Sequence, residues 1–127
     1  MTRVAAVQMV SGPMVSENLD EAARLIGEAV SDKAGLIVLP ENFAIMPRND
    51  VDRLAAVEKD GHGPIQEFLA AQARRHRVWL VGGTIPLAAN SADKVRAACL
   101  LFNDRGERVA RYDKIHLFDV SLDNGEQ

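Results

Sequence analysis

The sequence holds a single cysteine, Cys99, so it forms no intrachain disulfide, and one thiol alone makes no zinc site. That usage suits a reducing cytoplasm. No apolar run approaches the roughly 18 residues that a membrane span needs. The opening stretch MTRVAAVQMV puts one arginine before a short apolar run, broken by Gln8 and followed by Gly12 and Pro13, and reads as a first strand rather than a signal peptide. Basic residues are in no excess: the net charge is -3, and the lysines and arginines are scattered, which excludes the electrostatic footprint of a nucleic-acid binder. Neither GxGxxG nor GxxxxGK[ST] occurs, and there is no GxSxG elbow. The three histidines, His62, His76 and His116, are too dispersed for a metal constellation. Small molecules or proteins are the partners left, with no metal or organic cofactor expected.

What is present is an ordinary globular composition, 47% hydrophobic and 26% charged over 127 residues, the length of one domain with a real core. Arg3 to Val10 reads as a mostly buried strand ending at Ser11-Gly12-Pro13. Leu19, Ala22, Ala23, Ile26, Ala29 and Val30 then recur at the spacing of one helical face, with Glu17, Asp20, Glu21, Arg24 and Glu28 on the other. Ser16 or Asn18 is expected to cap this helix. Leu36 to Leu39 form a second, fully apolar strand, and two such strands around an amphipathic helix indicate a parallel βαβ unit. From Pro40 to Gly63 the pattern weakens into a long connection, with room for a short surface helix over Val51 to Val57. Pro64 suits a first helical position, and Ile65, Phe68, Leu69, Gln72 and Ala73 carry a second helix to about His76. Trp79-Leu80-Val81 is a third strand, and Gly82-Gly83 after it calls for a sharp bend or a close backbone approach. Lys94 to Phe102 and Val109 to Leu117 are two further strands, joined through the turn residues Asn103 to Glu107. The expected order is β α β α β β β, without repeats, low-complexity tails or a second-domain linker. The chain stops after Leu117 without a closing helix, which reads as one incomplete domain over residues 1–127.

Few residues in this frame can carry chemistry. Glu41 follows the C-terminal end of an expected parallel strand, the edge at which open α/β sheets usually build sites, although strand ends carry many idle charges. In RYDKIHLFD, alternation puts Tyr112, Lys114 and His116 on one face, where a lysine can also serve to blunt an edge strand. Cys99 lies inside the apolar run from Ala97 to Phe102 and reads as a core residue; a nucleophilic thiol needs a polar, partly exposed site.

Taken together and in order, VAAVQM, LIVLPENF, WLVGGTIP and YDKIHLFD resemble the nitrilase superfamily of carbon-nitrogen hydrolases, over nearly the whole chain. ENFAIMPRND and KIHLFDV are most similar to its Nit branch, which contains amidases for deaminated glutathione and for ω-amides of keto acids. The resemblance implies an α/β fold, the αββα sandwich of the family, of which this chain would be the N-terminal part. It implies a Glu, Lys and Cys as catalytic groups, the Glu at Glu41 and the Lys at Lys114. The family's Cys lies downstream of its Lys, so Cys99, which precedes Lys114, does not match it. A second family Glu also falls beyond the Lys and is not assigned to Glu126.

The resemblance thus implies hydrolysis of a small carboxylated amide by a cytoplasmic homo-oligomer when complete, with no metal or organic cofactor, nucleic acid or membrane as partner. Glu41 would act as general base toward the thiol and Lys114 would meet the developing oxyanion. This chain alone, lacking the thiol, is expected to be inactive. Phe43 and Arg48 in the long connection are candidates for the pocket mouth, Arg48 facing a substrate carboxylate. A non-catalytic homologue acting as an interaction module also fits these residues. A generic α/β ligand-binding domain explains the fold but not the paired PENF and DKIHLFD motifs.

Overall fold

The structure is a computed structural model and describes residues 2–89 and 95–114. Its elements run β1 (Val4–Ala6), α1 (Val15–Ser31), β2 (Leu36–Val38), α2 (Asp50–Ala56), α3 (Pro64–His76), β3 (Trp79–Val81), β4 (Ile85–Ala88), β5 (Val95–Phe102) and β6 (Arg108–Asp113). All six strands share one sheet. β1, β2 and β3 lie parallel in sequence order, with Val4, Leu36 and Trp79 in register. β5 then pairs antiparallel with β3 through Leu101 and Phe102 and with β4 through its other end. Its second edge takes β6, also antiparallel. The sheet is therefore mixed: crossover helices build the parallel half, and tight turns build the antiparallel half.

The helices lie on one face. Ile37, Leu80, Ala98, Leu100 and Phe102 turn inward from the strands and join Ala22, Ile26, Leu69 and Ala73 from α1 and α3 in one buried cluster. The opposite face is open, with Val4, Trp79 and Tyr112 exposed. One sheet and one helical layer are what the described residues provide. No described helix is long and apolar enough to cross a membrane.

Several local expectations need correction. The first strand is three residues long, not the run to Val10: after the bond from Val7 N–H to Val38 O, β2 has no further partner to offer, because Leu39 N–H already donates to Val81 O. α1 starts at Val15 and has no side-chain cap; Asn18 lies inside it, with its amide turned to other loops. The short helix of the long connection is present as α2, capped by Asn49, whose side-chain oxygen accepts from Asp52 N–H at 2.9 Å. α3 begins with Pro64 as expected, and the buried carboxylate of Glu58 accepts from Ile65 N–H at 2.6 Å and Gln66 N–H at 3.1 Å at its open end.

β4 was not expected, so the order is β α β α α β β β β. Pro86 reads as a breaker in Thr84-Ile85-Pro86, yet its missing N–H costs no ladder bond here. Its carbonyl accepts from Glu58 N–H, and Ala88 N–H donates to Glu58 O, so β4 is closed on that edge by a single bridge. Lys94, expected to open β5, and His116 and Leu117, expected to extend β6, lie outside the described residues, as does Glu126.

Candidate active site

Glu41 is placed by backbone ties rather than by its own side chain. Leu39 N–H makes the last ladder bond, to Val81. Pro40, which has no N–H to leave unpaired, carries the chain off the sheet, and its carbonyl packs directly on Gly83. A Cβ on Gly83 would lie 2.0 Å from that oxygen, and Gly83 has φ +62°, so this is a close backbone approach that only glycine accommodates. Past Glu41, Asn42 turns through a left-handed conformation, and its N–H donates to the Thr84 hydroxyl at 2.9 Å. The next residues are fixed from the far side: Ser11 donates to Phe43 O, Asn18 to Ala44 O, and Met46 N–H to Gly12 O.

Lys114 arrives from the antiparallel half of the sheet. It follows β6, and its N–H donates to Ala97 O at 2.9 Å, which continues the β5–β6 ladder by one residue. Its ammonium donates to the Glu41 carboxylate, an ion pair between residues 73 positions apart. Both side chains are partly exposed and open onto a cavity of about 390 Å³. Ile45, Pro47, Ile85, Pro86 and Val95 give the cavity its apolar walls, and Asn42, Arg53 and Arg96 add polar groups. Its size falls within the roughly 300–1,000 Å³ of small-ligand sites.

The structure separates the other candidates from this pair. Phe43 is fully buried, its ring tilted against Phe68 with centroids 6.4 Å apart, and belongs to the core instead of the pocket mouth. Arg48 does not line the cavity. Its backbone N–H and guanidinium both donate to Asp52, at 3.0 and 2.9 Å, which ties down the start of α2; that carboxylate holds the Arg48 guanidinium even more firmly charged, and Asp52 is shifted below the usual range. Cys99 sits half-buried on β5, in register with Tyr112, and does not line the cavity. Burial pushes its thiol pKa up, away from the thiolate. Among the described residues no cluster of three His, Cys, Asp or Glu side chains could hold a metal ion.

Sequence reasoning missed Arg53 and Arg96 as cavity residues and Thr84 as the group that holds Asn42. Nothing local marks them. Arg53 is one charge on a short surface helix and Arg96 one on a strand, and only the fold brings both to the Glu41 side of the sheet edge. The Gly82-Gly83 pair was the one legible signal for this region.

The arrangement supplies a carboxylate that can take a proton, a cation that can meet negative charge, and a partly apolar cavity between them. The cavity-lining residues include no serine, threonine or cysteine. Comparison with known proteins gives this geometry its context. Deaminated glutathione amidase of Synechocystis is 38% identical over 122 residues, covering 95% of this chain and 44% of that protein. Omega-amidase NIT3 of Saccharomyces cerevisiae is 34% identical over 128 residues, covering 97% of this chain and 44% of the relative. The crystal structure of Saccharomyces cerevisiae Nit3, of branch 10 of the nitrilase superfamily, superposes with a TM-score of 0.80 at 29% identity, over 92% of this chain and 45% of that one. The Caenorhabditis elegans NitFhit protein gives 0.81 at 26% identity, over 94% and 29%. The chain thus spans less than half the length of these relatives. The sequence pattern of the carbon-nitrogen hydrolases matches residues 3–127, and the chain belongs to that family, the nitrilase superfamily.

Proposed function

We propose that this chain supplies the general base and the oxyanion-stabilising cation of an amidase that hydrolyses a small carboxylated amide, with the attacking thiol contributed from outside these 127 residues. The observation that carries this reading is the Glu41–Lys114 ion pair at the mouth of one cavity, made by the ends of β2 and β6 across 73 positions of sequence. Relatives named for amide hydrolysis supply the reaction class. Cys99 is outside the cavity with a raised pKa, so the nucleophile is another thiol.

In the reaction, the Glu41 carboxylate takes the thiol proton as sulfur bonds to the amide carbon, and the Lys114 ammonium stabilises the negative oxygen that forms. Collapse breaks the C–N bond, and the proton held by Glu41 leaves with ammonia. Water, deprotonated by the same carboxylate, then attacks the thioester and releases the carboxylic acid and the thiol. No redox partner enters this balance.

The test is turnover by the full-length protein. Glu41→Gln is expected to lower kcat by about 10²–10⁴-fold, the usual contribution of a positioned base. Lys114→Met is expected to lower it by about 10²–10³-fold, as for loss of an oxyanion donor. Rates within threefold of the parent for both variants, with circular dichroism unchanged, would remove the pair from catalysis. A full-length protein that hydrolyses no amide would leave the interaction-module reading in its place.

A further inference from the structure

Two arginines in the cavity have no assigned task. Arg53 comes from α2 and Arg96 from β5, and both line the cavity that Glu41 and Lys114 open onto. Glu41 is neutralised by Lys114, so the charged lining that remains is two guanidinium groups. Among the described residues neither takes part in an ion pair or a side-chain hydrogen bond, whereas Arg24, Arg48, Arg105, Arg108 and Arg111 each hold an acid. Arg48 shows the contrast best: four residues from Asp52 on the same segment, it is fully engaged there, while Arg53 is turned to the cavity.

We propose that Arg53 and Arg96 are specificity-determining residues that receive the carboxylate of the acyl group, so that the site selects amides whose acyl part is anionic over neutral amides of the same length. This rests on the reading of the cavity as the amidase site. Guanidinium is the cation suited to this task, because its planar fork matches a carboxylate bidentately, where an ammonium acts as a point charge. Ile45, Pro47, Ile85, Pro86 and Val95 line the space between, and methylene groups linking amide to carboxylate would lie against them. The same apolar walls limit solvent screening of the charges.

Two measurements on the full-length protein test this, one catalytic and one not. Glutaramate and pentanamide serve as anionic and neutral amides of equal chain length, and glutarate serves as a binding probe in titration calorimetry. The ratio of kcat/KM for glutaramate to that for pentanamide is expected to fall about tenfold in Arg53→Gln and in Arg96→Gln, the loss of one charge-assisted hydrogen-bonded contact each, and further in the double variant. The fall should appear in KM, and Arg53→Lys should restore part of it. Glutarate affinity should weaken in step. A selectivity ratio within threefold of the parent in the double variant overturns the assignment while leaving the amidase reading intact. If the parent hydrolyses neither amide, the amidase reading fails, and glutarate titration still decides the arginines: weaker binding in the double variant sustains an anion site, and equal binding overturns it.

Discussion

Replacing Gly83 by alanine is the sharpest probe of how this fold holds Glu41. The new Cβ would meet Pro40 O at 2.0 Å, Pro40 C at 2.8 Å and Leu39 O at 3.1 Å, all backbone atoms that no rotamer change can move. Ordinary C···O contacts lie near 3.3 Å, so the Pro40 segment must retreat by at least about 1 Å. Adopting the left-handed conformation costs alanine about 1–2 kcal/mol, and forcing the backbones apart adds about 1–3 kcal/mol. The expected loss is therefore about 2–5 kcal/mol in urea unfolding. Glu41 is the residue after the one displaced, and a 1 Å error in a catalytic group costs about 10²-fold in rate. Gly61→Ala is the control: Gly61 also has positive φ, +86°, but no heavy atom lies within 4 Å of its added Cβ. It should lose only the conformational part, about 1–2 kcal/mol, and keep its rate. If Gly83→Ala unfolds as Gly61→Ala does and retains the parent rate within threefold, the packing of Pro40 on Gly83 does not position Glu41.

Cys99, raised in pKa by burial from its ordinary 9.0, should react slowly with thiol reagents at neutral pH in the folded state and rapidly in urea; fast native labelling would refute its placement. Because its folded pKa is the higher one, its contribution to stability is complete below the unfolded pKa and is lost as pH rises through the folded value, so Cys99→Ala should flatten the alkaline limb of a stability profile. Asp60 is held below the usual carboxylate range, first by its hydrogen bond to Arg108 and further by Arg111, and its contribution is present above about pH 4 and lost as pH falls through the folded pKa. The pair is half-exposed, so Asp60→Asn should cost under about 1 kcal/mol at neutral pH and low salt, and nothing at acid pH. Asn18→Leu should cost about 2–4 kcal/mol, since it strips partners from Gly12 N–H, Gly12 O and Ala44 O at a position only 5% exposed; a smaller loss in urea unfolding would mean water replaces the amide.

The parallel half of the sheet was legible because its signals are local: an apolar run, a helical period, Pro64 at a helix start. β4 was not, since Pro86 looks like a breaker until it is known to be bridged only by Glu58. Asn18 near a helix start looks like a cap, and only the position of the 42–46 loop shows that its amide ties that loop to Gly12. Phe43 has no periodic neighbours to show which way it faces, and its partner Phe68 is on another element. Glu41 and Lys114 were found through ordered motifs, whereas Arg53 and Arg96 belong to no motif and are visible only once α2 and β5 meet at one cavity.

The two members of the pair are held in different ways, and this sets how each should fail. Around Glu41, Leu39 is tied to Val81, Pro40 packs on Gly83, Asn42 donates to Thr84, and residues 43 to 46 are bonded to the Ser11–Asn18 region. These ties come from three separate segments, so the carboxylate's position is fixed when the domain folds and little ordering remains for the ligand to drive. Lys114 has one backbone tie, to Ala97, and then a four-carbon stem that reaches the carboxylate from a half-exposed position. A flexible stem absorbs small shifts of its backbone by changing rotamer, which an acid on a short stem above a rigid turn cannot do. Changes beneath Glu41, at Gly83 or Thr84, should therefore reach the pair more strongly than equally sized changes beneath Lys114, at Ala97 or along β6.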